Sequence, residues 1–272
     1  MKRDVLLKKL TLIAILSALC CAGTFIQIKM PAGDFVHLGN FVMILAALLL
    51  GGVAGGAVGS LGMGIYDLIF YLSKPSTVIR TFVLKFLVGF IVGSLFQLLI
   101  KKRANTKPLL IGITAFFGVV FILTTVLFAC GDLSGFSKDS FNSIYPNIFG
   151  SDRTLKISLY IPIFSFIFTL GTLLATIFEG KLGNRSKIAL FAVTAAILVN
   201  IIGEFFLRWL LEGLMVSDFT ISLMVATSKI PGSLITGLLS VFLVVLIYEP
   251  VYNSLAHQGL IDRIGEDEEV AE

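Results

Sequence analysis

The sequence predicts an all-α, polytopic membrane helical bundle of about eight spans with both termini cytoplasmic. Three observations carry that prediction. Hydrophobic residues make up 57% of the chain and charged residues only 14%, with a mean hydropathy of +0.98, whereas a soluble domain carries roughly 25% charged residues. A chain this apolar cannot hide its side chains in one soluble core, so the bilayer is its solvent. Apolar segments near the roughly 20 residues needed to cross a bilayer recur along the whole chain. Lysines and arginines between those segments gather on one side.

The segments, in order, are residues 10–28, 35–50, 53–72, 77–100, 109–129, 157–178, 188–211 and 221–248. The first follows a basic start that resembles a secretory signal. Its apolar run continues to Ile28 without a small-x-small cleavage site, so it is read as the first span. The second is short, as suits a tilted or partly shielded helix. The last is interrupted by "SKIPG" at 228–232. Its spanning part is placed at 231–248, starting on a proline that fits the first turn of a helix. Residues 219–227 are then a short outer helix or loop.

With the N-terminus inside, the cytoplasmic loops hold twelve lysines and arginines and the outer loops five. The ending "EDEEVAE" is read as a solvated cytoplasmic tail. The polar outer segment 130–156 is either an ordered interfacial loop or a lid over an outward-facing pocket.

Several function classes are excluded by what the chain lacks. Cys20, Cys21 and Cys130 have no metal-ligand spacing and are read as small packing residues. His37 and His257 fall on opposite sides of the topology. No H-E-x-x-H, G-x-S-x-G or adjacent acidic pair lies in a span. The sequence therefore predicts no enzyme, no catalytic residues, no metal, no cofactor and no nucleic-acid partner.

The stretch "GGVAGGAVGS" at 51–60 resembles a nucleotide loop at first sight. A phosphate loop would need G-x-x-x-x-G-K-[ST] between a strand and a helix. Here no lysine follows, and both flanks are membrane-length apolar segments. Small residues every fourth position let helix backbones approach inside lipid. Gly51, Gly55 and Gly59 form one such stripe and Gly52 and Gly56 a second, so the run is read as an inner turn plus the packing face of the third helix. In the first helix Ala14, Ala18 and Ala22 recur in the same way. That stripe either packs within the bundle or docks another membrane protein.

Ionisable side chains inside a membrane are costly and mark functional sites. Here they are Asp67, Arg80, Lys85, Glu204, Arg208 and Lys229, and the topology puts all six in the outer half or at the outer edge. Such one-sided clustering suits a binding pocket open to the outside better than an ion path through the membrane. Four bases against two acids suit a ligand with an anionic group, which arginine can hold bidentately. For Arg80, Arg208 and Lys229 the rival reading is snorkelling to the headgroups. Asn200, Tyr66, Tyr71 and Trp209 are candidates for hydrogen bonds and stacking, or for interface anchors.

These residues resemble a known family. "HLGNFVMILAALLLGGVAGGAVGSLGMGIYDLI" (37–69) is similar to the second and third helices of the substrate-binding S components of energy-coupling factor (ECF) vitamin transporters, in the riboflavin-transporter-like group. "RTFVLKFLVGFIVGSL" (80–95) resembles the family's fourth helix. "VNIIGEFFLRWLLEG" and "KIPGSLITGLLSVFLVVLIYEPV" resemble its last two. The resemblance implies a six-helix core with two inserted helices. Residues 1–102 would hold helices one to four, 103–187 the inserted pair with its long extracellular loop, 188–251 the last two helices, and 252–272 the acidic tail.

It further implies that Ala14, Ala18 and Ala22 meet a scaffold transmembrane subunit carried on two ATPase subunits. The protein would capture a water-soluble vitamin at the outer face of the bacterial cell membrane. It would then topple in the lipid bilayer to release that vitamin inside when the module hydrolyses ATP. Riboflavin is the ligand of the family label. Pantothenate, folate or a pyridoxine derivative suits a positive pocket. The rival functions are a self-sufficient secondary carrier of a small organic anion, which would show inverted repeats, and an intramembrane enzyme.

Overall fold

The computed structural model describes residues 2–29, 35–129, 163, 165–174, 176–177, 183–217 and 219–261. The outer segment expected at 130–156 and the acidic end at 262–272 lie outside the described residues. The elements are α1 (Lys2–Phe25), β1 (Gln27–Lys29), β2 (Phe35–His37), α2 (Gly39–Leu50), α3 (Gly52–Phe70), α4 (Pro75–Lys101) and α5 (Thr106–Ala129). They continue with α6 (Ser165–Leu174), α7 (Asn184–Val216), α8 (Phe219–Ser228) and α9 (Ile230–His257).

Six of these helices (α1, α3, α4, α5, α7 and α9) are long and apolar enough to cross a membrane, and α2 and α6 are shorter apolar helices. The molecule is an all-α polytopic bundle. Lys8 Nζ donates to the Gly259 carbonyl at 3.3 Å, which puts the start of α1 and the end of α9 at the same end of the bundle.

The expected second span is corrected. Residues 27–29 and 35–37 leave the helices and pair as an antiparallel ribbon, with Ile28 opposite Val36. Pro31 and Gly33, both turn formers, stand between them in the sequence. What remains of the span is α2, whose 12 residues rise only about 18 Å. It need not span alone, because every residue but Phe41 is buried. A helix that is apolar all round belongs inside a bundle, and α2 is the core's central rod.

The last region follows the sequence reading as far as α8 and then departs from it. The final helix runs on to His257, with Tyr248 and Tyr252 fully buried toward its C-terminal end. Phe96 of α4 meets Tyr248 edge-on with centroids 5.5 Å apart, and the Arg185 guanidinium covers the Tyr252 ring at 4.7 Å.

Glycine lets α2, α3 and α4 pack almost backbone to backbone. Gly51 joins α2 to α3 at φ +89°, a conformation that side chains with a Cβ resist. A Cβ on Gly55 would run into the backbone of Ala47 in α2, and one on Gly59 into Met43. The other stripe faces α4: Gly52 and Gly56 lie against the carbonyls of Phe90 and Phe86. The approach is reciprocal, since Gly89 and Gly93 of α4 meet the backbones of Gly55 and Gly52. This three-helix contact joins the first half of α3 to the second half of α4, and the polar residues stand toward the other end of the pair.

Candidate functional site

The end of α3, the first half of α4 and the later part of α7 surround a cavity of about 580 Å³, within the range of small-molecule sites. Phe35 and His37 of the ribbon, Tyr71, Ser73 and Lys74 of the α3–α4 connection, Val225 of α8 and Lys229 also line it. All six intramembrane ionisable residues found in the sequence line it: Asp67, Arg80, Lys85, Glu204, Arg208 and Lys229.

The position of each along its helix explains the convergence. Asp67 is in the last turn of α3, and Arg80 and Lys85 occupy the first half of α4. Glu204 and Arg208 come late on α7, about 30 Å and 36 Å from its start at Asn184 by helical rise. Gly203 allows α7 to close on α4, since a Cβ there would strike Leu84.

Glu204 is the electrostatic centre. Its carboxylate lies 3.2 Å from Arg80 Nε, 3.5 Å from Lys85 Nζ and 3.5 Å from Arg208 Nη2. Lys85 is fixed from behind, donating to Asn200 Oδ1 at 2.6 Å. Asn200 therefore acts on the cavity through Lys85 and does not line it. On the opposite wall Thr81 donates to Asp67 Oδ2. Asp67, Arg80 and Lys85 are 7%, 5% and 5% exposed. Charges so buried need opposite partners, and removing one partner from such a group costs about 3–5 kcal/mol.

Sequence reading missed Glu212, which lies 3.6 Å from Arg80 Nη1 and 3.4 Å from Arg208 Nη1. The signal was there: Glu204, Arg208 and Glu212 follow one another at four-residue spacing, which puts them on one helix face. The cavity thus carries five bases, Lys74 included, and three acids. His37 was also missed as a lining residue. Its Nδ1 accepts from the Gly39 N–H at 3.2 Å, which leaves the ring proton on Nε2.

Trp209 is not part of the cavity. Its indole donates to the Phe219 carbonyl at 3.2 Å, and its ring packs edge-on against Phe219 at 6.0 Å, joining α7 to α8. The neighbour of Arg208 in sequence points elsewhere on the helix. Tyr66 is buried in an aromatic cluster with Phe25 at 5.0 Å and Phe70 at 4.8 Å, whereas Tyr71 does line the cavity.

The alanines of α1 have the opposite environment. Ala14, Ala18 and Ala22 are all exposed, on a face shared with Ile15 and Leu19. The bundle buries the other side of α1 through Ser17, Cys20 and Thr24, and Gly62 of α3 lies against Cys20.

A multi-pass helical bundle with a deep polar cavity at one end belongs to the class of solute-binding membrane proteins. The family model "ECF-type riboflavin transporter, S component" matches residues 5–151, and the chain belongs to that family. It is therefore a component of a vitamin transporter, and the family is one of transport subunits and not of enzymes. The matched span includes Asp67, Arg80 and Lys85 and runs on through α5, while the α7 residues of the cavity lie beyond it. No curated protein and no solved structure matches the chain.

Proposed function

We propose that this protein is the ligand-capturing subunit of an ECF-type importer. It binds a small water-soluble molecule in the outer cavity and delivers it inward while docked on a scaffold subunit carried by two ATPases. The observation that carries this reading is the convergence of all six intramembrane ionisable residues on one cavity of ligand size at the outer end. The membrane penalises each of these charges separately, so their collection in one place needs a purpose beyond packing. In this reading Asp67, Arg80, Lys85, Glu204, Arg208 and Lys229 contact the ligand, and Asn200 positions Lys85.

The exposed alanine face of α1 is the proposed docking surface. A flat face of small side chains suits a partner that must bind and leave, because it offers close contact without interlocking. The proposed inward step is rotation of the whole bundle in the membrane, which would turn the cavity toward the cytoplasm. With α2, α3 and α4 packed backbone to backbone through their glycines, a rigid-body movement fits this packing better than a rocking of halves.

The test is direct. The purified chain in nanodiscs is screened against water-soluble vitamins, and small molecules that co-purify are identified by mass spectrometry. Lys85→Ala and Glu204→Ala should each weaken the affinity of the ligand found by about tenfold or more, the loss expected for one charge-assisted contact. An affinity indifferent to both substitutions would remove the ligand from this cavity.

A further inference from the structure

We propose that the ligand carries a carboxylate or phosphate group that binds between Arg80 and Arg208 by taking the place of the Glu212 carboxylate. This rests on the reading of the cavity as the ligand site, and it makes Glu212 a built-in stand-in for the ligand's anion.

Three observations support it. First, the two guanidiniums are crowded with negative charge yet poorly hydrogen-bonded. Arg80 Nε, Arg80 Nη1 and Arg208 Nε are buried and make no hydrogen bond among the described residues. Arg80 meets Glu204 and Glu212 only as ion pairs of 3.2 Å and 3.6 Å, and Arg208 donates long hydrogen bonds to Glu212 at 3.4 Å and to Glu204 at 3.5 Å. Well-formed arginine–carboxylate pairs close to about 2.7–2.9 Å and often bond through two parallel N–H groups. The Arg80 side chain is only 6% exposed, so its donors are cut off from bulk water. An anionic oxygen with better alignment would satisfy them.

Second, the two carboxylates are not equivalent. Glu204 is bound by three bases, and one of them, Lys85, is itself held by Asn200. Among the described residues Glu212 is bound only by the same two arginines; it lies one helical turn beyond Arg208 toward the end of α7 and is more exposed than Glu204, at 22% against 16%. Displacing Glu204 would leave Lys85 buried without its acidic partner. Glu212 can swing outward and leave no lysine uncompensated. It is the exchangeable member of the pair.

Third, the lining suits a polar ligand better than a large flat one. Phe35, His37 and Tyr71 are the aromatic side chains of the wall, against eight charged ones. A neutral ring system placed deep would have to desolvate Arg80 and Lys85 without repaying them, whereas an anion repays both. Hydroxyl or amide groups elsewhere on the ligand would meet Ser76, Thr77 and the Thr81–Asp67 pair.

The experiment measures the full-length protein in nanodiscs against two matched pairs, riboflavin with flavin mononucleotide and panthenol with pantothenate. Each pair differs in its anionic group, a phosphate in one and a carboxylate in the other. The charge of any small molecule extracted from the purified protein is determined in parallel. The expected result is that an anionic compound, from the panel or the extract, binds at least about tenfold tighter than its neutral counterpart. Glu212→Gln should tighten that binding about threefold or more by removing the internal competitor. Arg208→Lys keeps the charge but loses the fork, and should weaken binding with the melting temperature retained.

A neutral ligand bound tightly and indifferent to Arg208→Lys would overturn this proposal and leave the transport reading standing. Anion binding that weakens in Glu212→Gln would overturn the exchange. No binding by any panel compound and nothing extracted would overturn both readings.

Discussion

Two stripes of small residues at four-residue spacing have opposite fates in this molecule. Gly55 and Gly59 disappear into the contact with α2, and Gly51 into one with Gln97 of α4, where no Cβ fits. Ala14, Ala18 and Ala22 stay on the outside of α1, with Ile15 and Leu19 exposed beside them. Both satisfy the pattern that allows close helix approach in lipid. The difference lies in where the partner comes from. The glycine stripe needs one that is always present, and tolerates backbone contact that no larger residue could share. The alanine stripe keeps a methyl at each position and is exposed among the described residues. The pattern predicts close approach, and burial identifies whether the other surface is internal.

The largest expected effect tests the internal stripe. At Gly89 a Cβ would meet the backbone of Gly55 and Gly56, and at Gly55 the backbone of Ala47. Backbone cannot rotate away as a side chain can. Gly89→Leu should therefore cost more than the roughly 1–3 kcal/mol of ordinary overpacking, and should abolish the monodisperse protein on size-exclusion chromatography. Gly55→Leu should behave alike. A folded, ligand-binding Gly89→Leu protein would mean that α3 and α4 are not as close as described.

Ala18→Trp sharpens the other side of the comparison. The site is exposed, and exposed substitutions away from special features usually stay within about 0.5 kcal/mol. Melting temperature and ligand affinity should be unchanged. Uptake into cells that hold the ATP-driven module should be lost, because an indole on a flat face blocks close approach. Normal uptake by this variant would move the docking surface elsewhere, and a loss of stability would return the stripe to the interior of the bundle.

Much of this architecture was legible before any coordinates, and the reasons are physical. The spans were readable because hydrocarbon admits only long apolar segments, and the six charges because ionisable residues stand out against such a background. The ribbon at 27–37 was not, since three-residue strands inside an apolar stretch have no period long enough to separate them from helix. Glu212 was missed for a different reason. The seventh span was drawn to end at 211, one residue short, and α7 continues to Val216. Its four-residue spacing from Arg208 was the better guide. Trp209 had two readings in the sequence, a stacking surface or an interface anchor, and its indole is directed to the Phe219 carbonyl, since adjacent positions on a helix diverge. The Thr81–Asp67 bond joins two helices, and its partners have no local signal.

The smallest expected effect concerns glycines that belong to neither stripe. At Gly112 in α5 and Gly171 in α6 a Cβ would meet no described atom within 4 Å. Neither forms a positive-φ turn. An alanine at such a position loses nothing by contact and gains helix propensity, worth at most about 1 kcal/mol. Gly112→Ala should thus leave ligand binding and uptake intact and raise the melting temperature slightly. A fall in uptake with unchanged stability would show that something outside the chain approaches α5 as closely as α2 approaches α3. The α5 face would then join the alanine face of α1 as a surface kept smooth for a partner.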